Sequence, residues 1–266
     1  MLIIHAILLG AIQGLTEFLP VSSSGHLVLL QRLLDFKGPD VVFDTFLHVG
    51  TLVAVCVAFR RDLKCIGQTL IHLDVKSQHG RLFILLILGT IPTAFMGVAF
   101  RGFFERLFSQ VFPAALMLLV TGCILFVADR VKNHRTIPKG IKKIDAILVG
   151  IVQGLSIVPG LSRSGSTISA GIFLGLDRNV AARFSFLLSI PAIAGAGVLQ
   201  APNVTQLEQN LVLPLIIGTV VSAVTGYVAI KILLRMVSQK RLSFFSYYCW
   251  TVGLGVLLVS VFHILG

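Results

Sequence analysis

The chain has 266 residues, of which 56% are hydrophobic and only 12% are charged, and its mean hydropathy is +0.95. This composition excludes a soluble globular protein and predicts a polytopic, all-α membrane protein that forms one domain, residues 1–266. The formal net charge of +11 does not indicate nucleic-acid binding, because the basic residues lie in short segments between apolar stretches. Lysines and arginines in such segments reflect the orientation of the protein in the membrane.

The first apolar segment, residues 3–19, runs into Pro20 and a cluster of serine and glycine. It has no basic amino-terminal region and it contains Glu17, so we interpret it as part of the mature protein rather than a signal peptide. After the break only residues 27–34 are apolar, which makes a helix of about 12 Å, far too short to cross a bilayer. These features predict a re-entrant helical hairpin.

Six later segments are long enough to cross the membrane. They comprise roughly residues 41–60, 82–100, 112–129, 180–199, 211–234 and 244–265. The polar stretches around residues 60–81 and 130–143 are predicted to be loops, and residues 131–143 form a basic linker between repeat one, residues 1–130, and repeat two, residues 144–266.

The division into repeats rests on a second hairpin, with a helix over residues 144–158, a break at 159–165 and a short limb at 166–176. Without gaps, residues 6–26 and 146–166 are identical at 10 of 21 positions. A weaker similarity relates residues 87–97 to 216–226. The chain therefore contains two copies of one structural unit.

If each hairpin returns to the side from which it entered, each half has three crossings, and the second half must be inverted. Of the 22 lysines and arginines, 17 fall on one predicted side and four on the other. The positive-inside rule makes the first side cytoplasmic. We therefore expect both termini to lie outside, the hairpin tips to meet near the midplane and the site to open to the outer face.

Glu17 and Arg163 lie within predicted intramembrane segments, where ionisable residues are costly and usually functional. The alternative is that they only pair and lock the hairpins together. Gln13 lies one helical turn before Glu17 and would support it. The tips also carry small hydroxyl side chains and exposed backbone amides that suit phosphate oxygens. The predicted phosphate-binding residues are Ser22, Ser24, Ser162, Arg163, Ser164 and Thr167.

A hydroxyl, an imidazole, a carboxylate and an anion site together favour phosphoryl transfer over ion permeation. The predicted catalytic residues are Glu17, Ser23, His26 and Arg163. In one mechanism Ser23 attacks phosphorus and either His26 or Glu17 takes its proton; in the other, His26 activates water. A lipid transporter or flippase is the alternative from another class, because inverted repeats with broken helices are also a transporter plan.

Two motifs then make a specific resemblance: QGLTEFLPVSSSGH from Gln13 and PGLSRSGST from Pro159. They resemble the undecaprenyl-diphosphate phosphatases, also called bacitracin-resistance proteins. The resemblance implies hydrolysis of undecaprenyl diphosphate to undecaprenyl phosphate and inorganic phosphate at the bacterial inner membrane. This reaction recycles the lipid carrier of peptidoglycan synthesis and confers bacitracin resistance. The functional positions it implies are Glu17, Ser23, His26, Arg163 and Thr167.

The resemblance also implies a divalent cation, Mg²⁺ or Ca²⁺. Some members have glutamate where this chain has Gln13, so Glu17 is the only candidate metal ligand in the motif and the cation is expected to arrive with the diphosphate. The partners are the lipid substrate and membrane lipid, with a homodimer left open. Asp44 and His48 are either a local pair or line the site entrance, and Tyr247, Tyr248 and Trp250 are interpreted as interfacial aromatics.

Overall fold

The computed structural model describes residues 2–33, 40–108, 110–131, 140–204 and 209–265, and in these ranges the regular structure is entirely helical. The helices are α1 (Leu2–Phe18), α2 (Ser23–Leu33), α3 (Asp40–Ala58), α4 (Arg60–Ile71), α5 (Gln78–Ala99), α6 (Arg101–Phe108), α7 (Val111–Arg130), α8 (Lys143–Leu155), α9 (Arg163–Phe173), α10 (Arg178–Val204), α11 (Gln209–Ser238) and α12 (Ser243–Leu265). The predicted all-α class is confirmed.

Five of these helices, α5, α7, α10, α11 and α12, are each long and apolar enough to cross a membrane. A sixth crossing is reached only by counting α3 together with α4, which are bent by 78° at their junction. The multiple apolar helices confirm a multi-pass membrane protein.

Two of the predicted boundaries need correction. The crossing predicted at residues 41–60 ends at Ala58, and the loop predicted at residues 60–81 contains α4. This segment forms a helix because Ile66 is buried on one face while charged residues occupy the other, a pattern that a count of polar residues does not reveal. The short helix α6 was likewise not predicted. Most of the predicted linker, residues 132–139, lies outside the described residues.

The two hairpins have the expected broken form, but their second limbs begin earlier than predicted. The first limb ends at Phe18 and the next helix begins at Ser23; in the second copy these positions are Leu155 and Arg163. The early start has a local cause, since Ser22 Oγ accepts the Gly25 amide at 3.3 Å and Ser162 Oγ accepts the Gly165 amide at 3.1 Å. A serine cap satisfies an amide that the first helical turn leaves free.

Each hairpin packs against a long helix of the other half: α1 against α11, and α8 against α5. The backbones touch at glycines, because a Cβ on Gly10 would lie 2.5 Å from the Gly218 carbonyl oxygen and one on Gly150 would lie 2.0 Å from that of Gly89. Gly10 and Gly150 are equivalent in the hairpin repeat, and Gly89 and Gly218 are equivalent in the weaker repeat. The two halves therefore exchange equivalent contacts.

The last helices of the halves, α7 and α12, run antiparallel. A Cβ on Gly122 of α7 would contact the carbonyl oxygen of Ser246 on α12, and a Cβ on Gly253 of α12 would contact the carbonyl oxygen of Ala115 on α7. The earlier residue of α7 therefore contacts the later residue of α12, as in an antiparallel pair. Equivalent helices of an inverted repeat must be antiparallel when they pack against each other. The direction of this pair supports the predicted inverted repeat.

The glycine contacts lead to a stability prediction for Gly150→Ala. Its new methyl group would overlap the Gly89 carbonyl, and overpacking of this kind costs about 1–3 kcal/mol. Gly255→Ala is the matched control, because nothing lies within 4 Å of its added Cβ and alanine favours the helix. Thermal unfolding of purified protein in detergent should show a lower Tm for Gly150→Ala alone. Equal Tm values for both variants would contradict the tight contact.

Candidate active site

The two hairpin tips meet in an ion pair between Glu17, at the end of α1, and Arg163, at the start of α9. Arg163 Nη2 donates to Glu17 Oε1 at 2.5 Å, and the two side chains are only 15% and 6% exposed. A buried carboxylate and a buried guanidinium each lose hydration, and close pairing offsets much of that cost. The structure thus joins the two predicted intramembrane charges, which lie 146 residues apart in the chain.

The second oxygen of Glu17 is held by its own hairpin. Ser23 Oγ donates to Glu17 Oε2 at 2.5 Å, and Gln13 Nε2 donates to the same oxygen at 3.1 Å. Ser23 is buried and stands at the first position of α2, directly after the break. The carboxylate is therefore placed to accept the serine proton if this hydroxyl attacks an electrophile.

His26, the other candidate base, faces a different helix. Its Nδ1 lies 2.8 Å from the Ser22 carbonyl oxygen, and its Nε2 lies 2.8 Å from Tyr248 Oη. The His26 and Tyr248 rings stack with an interplanar angle of 10°. Because a carbonyl oxygen only accepts, Nδ1 carries a hydrogen, and in the neutral ring Tyr248 donates to Nε2. Both ring nitrogens are engaged away from Ser23.

Tyr248 is therefore a site neighbour that the sequence did not reveal. It was interpreted as an interfacial aromatic, and it is indeed partly exposed, yet its hydroxyl is committed to His26. Trp250 likewise donates from Nε1 to the Leu119 carbonyl at 3.2 Å. The pattern of aromatics near a helix end indicated a membrane-facing belt, but it carried no signal for a contact 222 residues away in the chain.

Most of the predicted phosphate-binding hydroxyls make hydrogen bonds within the protein. The Oγ atoms of Ser22 and Ser24 lie 3.3 Å apart, as do those of Ser162 and Ser164. Thr167 Oγ1 donates to the Arg163 carbonyl at 2.7 Å and lies 2.5 Å from Ser185 Oγ. The structure places all of them at the two helix starts. A phosphate would have to replace some of these bonds to use the hydroxyls directly.

Two buried polar atoms beside Glu17 have no hydrogen-bond partner within the described part of the chain: Arg163 Nη1 and Gln13 Oε1. Buried polar groups are nearly always paired, so unpaired ones mark a place where water or a ligand is expected. Arg163 thus uses one amino group for Glu17 and has another available for an anion. A guanidinium can serve two oxygens in this way because its donors are fixed in one plane.

His48 also faces the pair, on the more exposed side. Its Nε2 lies 3.5 Å from Glu17 Oε2, and its Nδ1 lies 2.7 Å from the Asp44 carbonyl oxygen. Gln31 donates to Asp44 Oδ1 at 2.7 Å. Asp44 and His48 therefore form a local pair, and this pair also lies beside the site, because the bond to the Asp44 carbonyl orients His48 toward Glu17. With 32% of its side chain exposed, His48 is more accessible than Glu17 or Arg163.

The described residues do not supply enough ligands for the protein alone to bind a divalent cation at this site. In the described ranges no group of three histidine, cysteine, aspartate or glutamate side chains could hold a metal ion. Both oxygens of Glu17 already accept hydrogen bonds, from Arg163 on one side and from Ser23 and Gln13 on the other. A hard cation such as Mg²⁺ needs several oxygen ligands. The predicted role of Glu17 as a metal ligand has no support from this geometry.

We expect His48→Asn to lower kcat/KM by about 10²-fold, the lower end of the range for a group that assists proton transfer. The variant removes the nitrogen that faces Glu17 and keeps a polar side chain of moderate size. His72→Asn, in an exposed position after α4, is the control. Phosphate release from a polyprenyl diphosphate measures both. Wild-type kinetics in His48→Asn would show that this histidine does not act on the site.

Comparison with known proteins agrees with this geometry. The family model described as "Bacitracin resistance protein BacA" matches residues 6–255. An undecaprenyl-diphosphatase of Halothermothrix orenii is 45% identical over 97% of this chain and 98% of its own length. Proteins of the same name from Carboxydothermus hydrogenoformans and Methanosphaera stadtmanae are 44% and 40% identical, over 96% and 97% of this chain and 97% and 98% of their own lengths. The chain belongs to the bacitracin-resistance protein family.

Proposed function

We propose that this protein is an integral-membrane phosphatase that hydrolyses undecaprenyl diphosphate to undecaprenyl phosphate and inorganic phosphate. The observation that carries the proposal is the contact of Ser23 and Arg163 with the two oxygens of one buried carboxylate, Glu17. The names of the related proteins agree with this reaction. In a bacterial cell the product is the recycled lipid carrier of peptidoglycan synthesis, and its supply confers resistance to bacitracin.

In the proposed reaction, Ser23 Oγ forms a bond to the terminal phosphorus while the bond from that phosphorus to the bridging oxygen breaks. Undecaprenyl phosphate leaves, and the serine proton passes to Glu17 Oε2, 2.5 Å away. Arg163 neutralises charge on the transferred phosphoryl group through its unpaired Nη1. Water then attacks the phosphorus of the phosphoserine, and the bond from phosphorus to Ser23 Oγ breaks as Glu17 returns its proton to that oxygen. Inorganic phosphate leaves, and the proton lost by the water passes to a second base or to solvent.

The geometry favours Glu17 over His26 as the acceptor of the serine proton, because both nitrogens of His26 are bonded elsewhere. His26 can act as the base for the water of the second step only if its Nε2 exchanges Tyr248 for that water. Direct attack by water on the diphosphate is the rival mechanism. It leaves the short Ser23–Glu17 hydrogen bond without a chemical role.

The divalent cation, Mg²⁺ or Ca²⁺, is proposed to arrive with the diphosphate, whose oxygens supply ligands that the protein lacks. When bound there it would neutralise phosphate charge. The hairpins are proposed to be re-entrant in the bacterial cytoplasmic membrane, with both termini outside and residues 131–143 in the cytoplasm. Tags on the two termini, probed in intact cells, should both be accessible from outside; termini on opposite sides would refute this topology.

The decisive experiment measures phosphate release by the purified protein. Wild type should release phosphate from undecaprenyl diphosphate and none from undecaprenyl phosphate, and Arg163→Ala should be inactive. Arg235→Ala, an exposed position near the end of α11, is the matched control and should keep full activity. If the wild type releases no phosphate but moves a polyprenyl phosphate across proteoliposomes, the protein is a transporter.

The contact with His26 leads to a prediction for Tyr248→Phe. The variant removes the hydroxyl that bonds His26 Nε2 and keeps the stacked ring, so we expect kcat to fall by about three- to tenfold with little change in KM. Tyr247→Phe is the control, because its ring packs against Phe126 and Trp250 instead. Phosphate release gives both constants. Equal kcat values in the two variants would contradict a role for the Tyr248 hydroxyl.

A further inference from the structure

A basic cleft lies between α5 and α8, far from the hairpin tips. It has a volume of about 310 Å³ and is lined by Val75, Lys76, Arg81, Ile84, Leu85 and Lys143. Three basic side chains therefore line a partly apolar cleft, and none of the lining residues is acidic. The cleft is on the side that the distribution of lysine and arginine makes cytoplasmic.

Some basic residues on that side are engaged by other groups, whereas within the described part of the chain these three are not. Arg178 is bonded to Asp129, and Arg183 is paired with Asp62. Arg130 lies over the ring of Phe126. In contrast, no hydrogen bond or ion pair within the described residues engages the side chains that surround the cleft. Membrane topology explains why basic residues occur on this side, but it does not explain why three unpaired basic residues line the same cleft.

The cleft adjoins an exposed apolar surface on α5. Ile84 lines the cleft, and Ile87 and Ile91 follow it on the same face of α5, 44% and 58% exposed. On α8, Ile144 and Leu148 are also exposed beside Lys143. A bound molecule would thus place an anionic group among the cations and an apolar chain along the exposed apolar face of α5.

We propose that this cleft is a binding site for the headgroup of an anionic phospholipid of the cytoplasmic leaflet. Basic pockets between membrane helices on the cytoplasmic side suit such headgroups, and each lysine or arginine close to the leaflet adds to the attraction. The adjoining exposed apolar face of α5 favours a lipid over free phosphate, which has no apolar part to place there. The site is separate from Glu17 and Arg163, so it does not depend on the proposed enzymatic function.

The test uses purified full-length protein titrated with dioctanoyl phosphatidylglycerol, with binding followed by native mass spectrometry and by the shift in Tm. The triple variant Lys76→Gln, Arg81→Gln, Lys143→Gln should bind this lipid at least about tenfold more weakly than wild type. A matched triple variant, Lys231→Gln, Arg235→Gln, Arg241→Gln, removes the same charge from exposed positions near the end of α11 and should bind normally.

Two further titrations complete the test. Dioctanoyl phosphatidylcholine should bind the wild type weakly and should not distinguish the variants, since it has no net charge. Inorganic phosphate should not displace phosphatidylglycerol at millimolar concentration. Equal losses in both triple variants would show attraction by net charge alone and overturn the site, and displacement by inorganic phosphate would overturn the lipid assignment. Phosphate release from undecaprenyl diphosphate should be unchanged in the cleft variant.

Discussion

Arg163→Lys is expected to lower kcat by about 100-fold or more, although it keeps the positive charge. Arg163 donates from Nη2 to Glu17 and has Nη1 free for a phosphate oxygen, and a single ammonium group on a flexible chain cannot hold both positions. Arginines that stabilise transferring phosphoryl groups are worth about 10³- to 10⁵-fold in kcat, so Arg163→Ala should lose at least about 10³-fold. Initial rates of phosphate release give both values.

The control for this prediction is Arg183→Lys, because the Arg183 side chain is 51% exposed and pairs with the carboxylate of Asp62. Exposed ion pairs contribute about 0–1 kcal/mol, and either cation can make them. We therefore expect wild-type kinetics in Arg183→Lys. If Arg163→Lys were also fully active, a point charge would suffice at the hairpin tips and the guanidinium geometry would have no part in the reaction.

Arg163 and Glu17 could instead serve only to lock the two hairpins together. The alternatives are separated by Arg163→Gln, Glu17→Gln and the double variant. Each single variant leaves a buried unpaired charge, which costs about 3–5 kcal/mol, and the double variant removes this penalty. A structural lock therefore predicts that the double variant regains both Tm and activity. A catalytic pair predicts that it regains Tm and remains inactive.

The two broken hairpins and the contact between their tips were predictable from the internal repeat, which places the same interrupted helix twice in the sequence. Several residues identical in both copies serve the fold: Ser22 and Ser162 cap the second limbs, and Gly10 and Gly150 allow close packing. Glu17, which differs between the copies, is the centre of the site. Intramembrane charges were a reliable guide for a physical reason, since a buried ion is retained only where it is paired or used.

Other parts of the site had no signal in the sequence. The partner of His26 is Tyr248, on the last helix, and nothing local to either residue indicates the contact. The serine-rich tips gave an ambiguous signal, because the same small hydroxyl side chain suits both a helix cap and an anion site. In the folded protein Ser162 Oγ accepts the Gly165 amide, whereas Ser23 Oγ donates to Glu17. Propensity predicts such side chains at a helix start, but it does not assign their partners.

Ser23→Ala is expected to be the most damaging single substitution, with kcat reduced by about 10⁴-fold or more, because it removes the proposed nucleophile. Wild-type protein quenched in acid during turnover with terminally labelled undecaprenyl diphosphate should carry label on Ser23, and the variant should carry none. Ser243→Ala, at the start of α12, is the control and should be labelled normally. Full activity in Ser23→Ala would eliminate the covalent mechanism and leave attack by water.

The same labelling experiment assigns the proton acceptor. Glu17 bonds Ser23 directly, so Glu17→Gln should slow formation of the phosphoserine by about 10²- to 10⁴-fold, and little label should accumulate. The nitrogens of His26 bond Ser22 and Tyr248 instead. If Nε2 exchanges Tyr248 for the water of the second step, His26→Asn should slow that step and let label accumulate above the wild-type level. If both variants failed to form phosphoserine, His26 would have to turn from Tyr248 toward Ser23 during the reaction. Opposite effects on the label would establish that the carboxylate serves the serine and the imidazole serves the water.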